Sequence, residues 1–177
     1  MGDLRIRAGR PDDVEALFAI HRESAMTAYV EVFPPERYRF PEEEMRAHWS
    51  SSLRDGDVDA LVAERDGAAV GFATLSPGWL RNLFVLPAEW GRGTGGALHD
   101  EAVELLRREG DLAQLWVLER NARARRFYEA RGWRDDGGRS RSQFPPHPLE
   151  LRYALRLERG VGPIPIPRPP KGETGRG

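Results

Sequence analysis

The chain has 177 residues, 40% of them hydrophobic and 31% charged, with a formal net charge of −1, values that suit one soluble globular domain. The near-neutral charge argues against a nucleic-acid-binding protein, because such proteins usually carry a basic excess. The sequence contains no cysteine, which excludes disulfides, a thiolate nucleophile and cysteine-based metal sites.

The first half of the chain reads as helices and strands in alternation. A helix start is indicated where Pro11 is followed by two aspartates, since an early proline and acids in the first turn favour a helix N-terminus. The Asp66-Gly67 pair is a two-residue hairpin signal between two apolar runs. The predicted elements are a strand at 4–8, a helix opening at 10–13, a helix at 41–53, and strands at 59–65 and 69–76.

The second half continues with strands and helices in an order that identifies the fold class. The predicted elements are a strand at 80–85, a helix with apolar residues at Leu98, Ala102, Leu105 and Leu106, a buried strand at 112–118, a helix at 122–131 stopped by Gly132, and strands at 133–136 and 149–157 separated by a polar loop. Three consecutive strands precede the glycine-rich segment. This order predicts a mixed α/β sheet rather than a regularly alternating parallel fold.

Composition shifts near Arg159, after which proline and glycine dominate. Such a segment cannot support a helix or a central strand. We therefore expect one domain over residues 1–159 and an extended, disordered tail over residues 160–177. The Pro167–Pro170 spacing would suit a proline-recognition module, but a passive tail is the favoured interpretation.

Export, membrane and metal signals do not stand out in the sequence. No run approaches the roughly 18 consecutive apolar residues that span a bilayer, and no apolar block follows a basic N-terminal start. The four histidines are scattered, with no pair at metal-ligand spacing: they are His21, His48, His99 and His147. We expect a cytoplasmic protein with no metal and no membrane or nucleic-acid partner.

The most informative segment holds four glycines within six residues, at positions 91, 93, 95 and 96. Glycine lets the backbone curl tightly and approach a ligand without interference from a Cβ atom. The backbone N–H groups converge at the N-terminus of the next helix, where the helix dipole also favours an anion. The segment predicts a phosphate or pyrophosphate site, to which Arg92 can add a charge-assisted contact. A flexible turn is the alternative.

Gly91, Gly93 and Gly96 also satisfy the dinucleotide fingerprint G-x-G-x-x-G, with Glu119 at the distance expected of a ribose-binding acid. Five residues nevertheless separate the preceding strand from the first glycine, and too little chain follows for a doubly wound sheet. A dinucleotide-binding oxidoreductase therefore stays the less favoured alternative. A P-loop is excluded because no Lys-Ser or Lys-Thr pair follows the glycines.

Two motifs resemble those of the GNAT acetyltransferases. Val85-Leu86-Pro87 followed by residues 90–96 resembles the family's coenzyme A-binding motif, with Trp90 where Gln or Arg is usual. Residues 121–133 are similar to its Asn-x-x-Ala-x-x-Phe-Tyr-x-x-x-Gly-Phe signature. The resemblance implies an acyl-CoA N-acyltransferase-like fold: a mixed sheet flanked by helices that splays apart between the strands at 80–85 and 112–118.

The resemblance also implies a co-substrate, acetyl-CoA, and residues that hold it. Coenzyme A's pantetheine arm would pair with the backbone of Leu83, Phe84 and Val85, and Asn121 would contact the arm or hold the loop. The pyrophosphate would lie on Gly91, Arg92, Gly93, Thr94, Gly95 and Gly96. The amine acceptor, a small molecule or a peptide, would attack the thioester carbonyl directly.

The same resemblance makes Tyr128 the candidate general acid for the departing thiolate. Candidates for the base are Glu119, Glu31, His21 and a chain of water molecules. The segment 28–38 is expected to cover the acceptor pocket. A non-catalytic acyl-CoA-binding module on the same fold remains an alternative, and a homodimer is left open.

Overall fold

The computed structural model describes residues 2–56 and 58–158; the expected tail at 160–177 lies outside this range. The described part contains seven strands and four helices, so the predicted mixed α/β class is confirmed. The strands are β1 Leu4–Ala8, β2 Asp59–Arg65, β3 Ala68–Ser76, β4 Trp79–Val85, β5 Leu112–Leu118, β6 Arg134–Arg141 and β7 Leu149–Arg156. The helices are α1 Val14–Ala28, α2 Glu42–Asp55, α3 Thr94–Glu109 and α4 Ala122–Glu129.

The sheet runs in the order β1-β2-β3-β4-β5-β7-β6. Every neighbouring pair is antiparallel except β4 and β5, which are parallel and are in register at a single residue pair, Trp79 and Gln114. Beyond that pair the two strands diverge. The sheet is therefore splayed between β4 and β5, as the resemblance to the GNAT motifs implies, and the gap opens toward the C-terminal ends of both strands.

Each face of the sheet carries its own helices. On one face, α1 and α2 pack against β2 and β3 through a cluster rich in aromatic residues. On the other, α3 and α4 cover the sheet through a larger cluster that includes β5 and β7. None of the helices in residues 2–56 and 58–158 is long and apolar enough to cross a membrane.

The α1–α2 face depends on Trp49, which is 1% exposed and meets the Phe72 ring edge-on, with 5.0 Å between ring centroids. Its indole N–H donates to Nδ1 of His21 at 3.2 Å, so the one polar atom of the ring is satisfied. Burial of such a side chain stabilises the fold by about 1.5–3 kcal/mol. Truncation of Trp49 to alanine would cost about 3–5 kcal/mol, because a cavity would remain.

Two local predictions can be compared with the backbone directly. Asp66 and Gly67 both have positive φ, 53° and 81°, as a two-residue hairpin turn of the primed type requires. The sixth strand, in contrast, runs on to Arg141, where the sequence predicted a loop from residue 137. A bulge at Gly137 (φ 91°) absorbs the irregularity, and the Asp135 carboxylate accepts from the Gly137 N–H at 2.9 Å.

Candidate active site

A cavity of about 380 Å³ lies where β4, the glycine segment and α4 meet. Most of the residues that the sequence assigned to a cofactor or a proton donor line this cavity: they are Leu83, Phe84, Val85, Gly91, Gly93, Gly95, Gly96, Asn121 and Tyr128. Arg92 and Thr94 do not belong to its wall. Ser24 and Tyr29 from the end of the α1 region close the cavity on the opposite side.

The edge of β4 that faces the gap carries free backbone groups. The Leu86 N–H donates to the Val70 carbonyl of β3 at 2.9 Å. Because the ladder alternates, the backbone groups of Leu83 and Val85 point away from β3 and into the gap. The Val85 carbonyl already accepts hydrogen bonds from Ser24 Oγ and from Trp90 Nε1, each at 2.9 Å. The Leu83 groups and the Val85 N–H can therefore pair with an extended guest.

The glycine segment ends in the N-terminus of α3. Gly91 and Gly93 have φ values of 76° and 86°, which side chains other than glycine rarely adopt. The first helical hydrogen bond runs from the Ala97 N–H to the Gly93 carbonyl at 3.0 Å. The amides of Thr94, Gly95 and Gly96 precede that bond, so they have no intrahelical partner. Together with the helix dipole, these amides can bind an anion where the start of α3 meets the cavity.

The side chains of Arg92 and Thr94 point to Glu89 rather than into the cavity. Arg92 Nη1 donates to Glu89 Oε1 at 2.7 Å, and Thr94 Oγ1 donates to Glu89 Oε2 at 2.8 Å. Burial would raise the pKa of Glu89, but its hydrogen bonds with Thr94 and Arg65 and the charges of Arg65 and Arg92 together lower it below the usual value. Sequence reasoning missed this buried carboxylate, because Glu89 lies in the short turn after Pro87 and its partner Arg65 is distant in the chain.

Trp90 occupies the position where the resembled motif has Gln or Arg, and it has two contacts of its own. Its indole N–H holds the Val85 carbonyl, and the Arg123 guanidinium lies 3.8 Å from its ring centroid. This is a cation–π contact at the mouth of the cavity. Trp90 therefore ties the glycine segment to β4 through its side chain.

Helix α4 brings Tyr128 to the cavity. Asn121 caps the helix, since its side-chain oxygen accepts from the Ala124 N–H at 3.1 Å. Tyr128 is 8% exposed, and burial, with a smaller contribution from Tyr29, raises the pKa of its hydroxyl well above the usual value. The hydroxyl makes no hydrogen bond to any other described residue, and Tyr128 stays protonated at all working pH values.

Tyr29, which follows α1, faces Tyr128 across the cavity. Burial raises the pKa of Tyr29 to about 12; the nearby Glu150 adds to the rise, and the polar side chain of Asn121 opposes it. Tyr29 belongs to the segment 28–38 that the sequence placed over the acceptor pocket. It connects the cavity with the start of β7, where Glu150 lies.

The three residues that the sequence analysis proposed as the base do not line the cavity. Glu31 and Glu119 are exposed on loops. His21 Nδ1 accepts from the Trp49 indole, and its ring packs on Phe84 with 4.4 Å between centroids. Burial, with the neighbouring His48, lowers the pKa of His21 to about 4. His21 is therefore a neutral, packed histidine outside the wall of the cavity.

Comparisons with known proteins agree with this geometry. The acetyltransferase (GNAT) family matches residues 20–133 of the chain. An uncharacterized N-acetyltransferase of Archaeoglobus fulgidus is 32% identical over 150 residues, which cover 76% of this chain and 97% of that protein.

Solved structures share the fold. A GCN5-related N-acetyltransferase of Rhodopseudomonas palustris superposes with a TM-score of 0.74 at 22% identity, over 89% of this chain and 98% of that one. A Salmonella typhimurium protein, solved with its cofactor acetyl-CoA, superposes with a TM-score of 0.66 at 18% identity, over 93% and 99% of the two chains. The antiparallel run β1 to β4, in contrast, is not the parallel sheet of a dinucleotide-binding domain.

Proposed function

The chain belongs to the GNAT acetyltransferase family, and on that premise we propose that it transfers the acetyl group of acetyl-CoA to a primary amine by direct attack. The observation that carries the proposal is that two sets of backbone groups beside one cavity, at the edge of β4 and at the start of α3, are available to a ligand. The edge of β4 offers both backbone groups of Leu83 and the Val85 N–H to an extended arm, and the start of α3 offers three amides to an anion. Coenzyme A combines an amide-containing arm with a pyrophosphate.

In this proposal the chain binds its co-substrate mainly through backbone groups. The pantetheine arm pairs with β4 as an added strand would. The pyrophosphate accepts from the amides of Thr94, Gly95 and Gly96. Arg92 is not part of the cavity wall, and since its Nη1 donates to Glu89, it adds a contact only through its other guanidinium N–H groups. Asn121 acts through the N-terminus of α4, which it caps.

Tyr128 is proposed as the general acid. An ordinary tyrosine has a pKa of about 10 and a thiol one of about 8.5, so proton transfer to a thiolate in water is slightly uphill. In the cavity, burial raises the pKa of the tyrosine, and the same burial raises that of any thiolate formed beside it. The pKa values of the tyrosine hydroxyl and of the thiol therefore rise together. Negative charge collects on the sulfur as the carbon–sulfur bond breaks, so the transfer becomes less uphill.

One experiment tests the proposed function against its alternatives. The melting temperature is measured with acetyl-CoA and with NAD, and labelled acetyl-CoA is then incubated with a panel of primary amines and peptides. A ligand at 100 times its dissociation constant adds about 2.7 kcal/mol of stability, which gives a clear shift. We expect a shift with acetyl-CoA, a smaller or no shift with NAD, and labelled amide.

Two other outcomes would each contradict a different part of the proposed function. A shift with acetyl-CoA but no product from any amine would identify a non-catalytic acyl-CoA-binding module. A shift with NAD larger than that with acetyl-CoA would overturn the coenzyme assignment itself.

A further inference from the structure

The half of the sheet formed by β5 and β7 has two unlike faces. Leu115, Val117 and Leu151 are buried under α3 and α4. Their neighbours in sequence point to the opposite face, because successive side chains of a strand alternate. Trp116, Leu118 and Glu150 lie on that opposite face; Leu118 and Glu150 are register partners across β5 and β7.

This opposite face is where an acceptor can reach the reaction centre. The glycine segment and α4 border the cavity on the α3 side, so a coenzyme bound there occupies that side. Ser24, Ala28 and Tyr29, which line the same cavity, come from α1 and the residue after it. With the coenzyme on the α3 side, the α1 side is left to a second substrate, where the gap opens beside the end of β5 and the start of β7.

Glu150 is the carboxylate at that approach. It is half-buried and close enough to Tyr29 to act on its ionisation. Within residues 2–56 and 58–158 it has neither a side-chain hydrogen bond nor an ion pair. Other poorly exposed acids of the chain are held by arginines, as Asp13 is by Arg7 and Glu89 by Arg65. A half-buried carboxylate without a counter-charge is costly unless a cation arrives to pair with it.

The surrounding groups leave Glu150 free for such a cation. Arg152, two residues along the same face, is engaged with Asp136 at 2.8 Å. The register partners of Glu150 are Leu118 of β5 and Ser140 of β6, both uncharged. Tyr29 is neutral at working pH. Burial raises the pKa of Glu150 above the usual value, which makes it a stronger base than an exposed glutamate.

From this arrangement, and resting on the proposed acetyl transfer, we propose that Glu150 receives the ammonium group of the acceptor and removes its first proton. The neutral nitrogen then forms a bond to the acetyl carbon, and the carbon–sulfur bond breaks. The sulfur takes a proton from Tyr128, the second proton lost by nitrogen restores the Tyr128 hydroxyl, and Glu150 releases the first proton to solvent. The acceptor class is accordingly a primary amine that is cationic in solution, rather than an arylamine or another amine already neutral at pH 7.

A matched pair of amines tests this role. Ethylamine is protonated at neutral pH, whereas 2,2,2-trifluoroethylamine has nearly the same shape and is unprotonated, because its fluorines withdraw electrons. Wild type, Glu150→Gln and the control Glu158→Gln, an exposed glutamate beyond the other end of β7, are compared at saturating acetyl-CoA. We expect Glu150→Gln to lower kcat/KM for ethylamine by about 10²-fold or more and to change that for trifluoroethylamine by less than about threefold.

Two further measurements on Glu150→Gln test the same role. The defect of Glu150→Gln toward ethylamine should shrink as pH rises, because the amine then loses its proton to solvent. The melting temperature should not fall, since the variant removes an unpaired charge and keeps the shape of the side chain.

Equal losses with both amines, or none with either, would overturn the role of Glu150 while the proposed function stands. A wild type that binds no acetyl-CoA and acetylates neither amine would overturn the proposed function, and this inference with it.

Discussion

The hydroxyl of Thr94, the first residue of α3, donates a 2.8 Å hydrogen bond to the buried carboxylate of Glu89. The same carboxylate accepts from Arg65 of β2 at 3.0 Å. Glu89 therefore ties the start of α3 to the sheet across the glycine segment. The positions of the amides proposed to bind the pyrophosphate therefore depend on this buried carboxylate.

We predict that Glu89→Gln destabilises the protein by about 3–5 kcal/mol, because removal of one partner leaves the Arg65 guanidinium, only 10% exposed, without its counter-charge. Urea unfolding measures the loss. The control is Glu104→Gln, which breaks the partly exposed pair with Arg107 and should cost no more than about 1 kcal/mol. Similar small losses in both variants would show that the Glu89 network contributes little.

The pH dependence of stability follows from two groups whose pKa values are lowered by the fold. Protonation makes the Glu89 carboxylate neutral and the His21 imidazole cationic. The folded pKa of Glu89 lies below its ordinary 4.5, so its contribution is present above pH 4.5 and is lost as pH falls below it. His21 has a folded pKa of about 4 against 6.5 when unfolded, so the unfolded chain binds an extra proton between these values. As the pH is lowered, the free energy of unfolding should therefore begin to fall near pH 6.5.

NMR titration of the His21 imidazole tests the second part. We expect no titration between pH 5 and 8, and a pH–rate profile without a step from His21 in that range. A midpoint near 6.5 would mean that the ring is solvated, and it would return His21 to the candidates for the base.

Gly95 gives the cleanest substitution among the residues whose amides are proposed to bind the pyrophosphate. A Cβ atom there would lie 3.6 Å from Phe127 and 3.7 Å from Val85, in ordinary contact. The γ-methyl groups of Gly95→Val would occupy space at a position of the cavity wall where glycine has no side chain. We predict that acetyl-CoA affinity falls by about tenfold or more, equivalent to 1.4 kcal/mol, while the apoprotein still folds.

Gly110→Val is the matched control for this variant. Gly110 follows the other end of α3, has an extended backbone and has open space around it. Isothermal titration should find its acetyl-CoA affinity unchanged. Equal affinities for the two valine variants would exclude the start of α3 from the coenzyme site.

How much of the site the sequence predicts depends on how local each feature is. The hairpin at Asp66-Gly67 and the glycine segment follow from the backbone preferences of neighbouring residues, so both could be located from the sequence. Glu89 and Glu150 could not. Glu89 becomes buried only because Arg65, 24 residues earlier, reaches it. Glu150 alternates with apolar residues as a solvent-facing strand residue does, and only the sheet order brings it near Tyr29.

The final prediction concerns the proton donor. Tyr128→Phe removes one hydroxyl that makes no hydrogen bond to the described residues, so packing and acetyl-CoA binding should survive. General acid catalysis typically contributes about 10²–10⁴-fold, and we expect the single-turnover rate to fall by that factor. Single turnovers are needed because a slow product release would hide the loss in kcat.

Tyr153→Phe separates a catalytic hydroxyl from a structural one on the same side of the sheet. The Tyr153 hydroxyl donates to Glu129 at 2.6 Å and accepts from Arg125 at 3.1 Å, which holds α4 on β7. Its removal should lower the free energy of unfolding by about 1.5–3 kcal/mol, as for hydrogen bonds to charged groups. The single-turnover rate of folded Tyr153→Phe should stay near that of wild type. If Tyr128→Phe also stays within about threefold of wild type, its hydroxyl is not the donor, and the thiolate must take its proton from water in the gap.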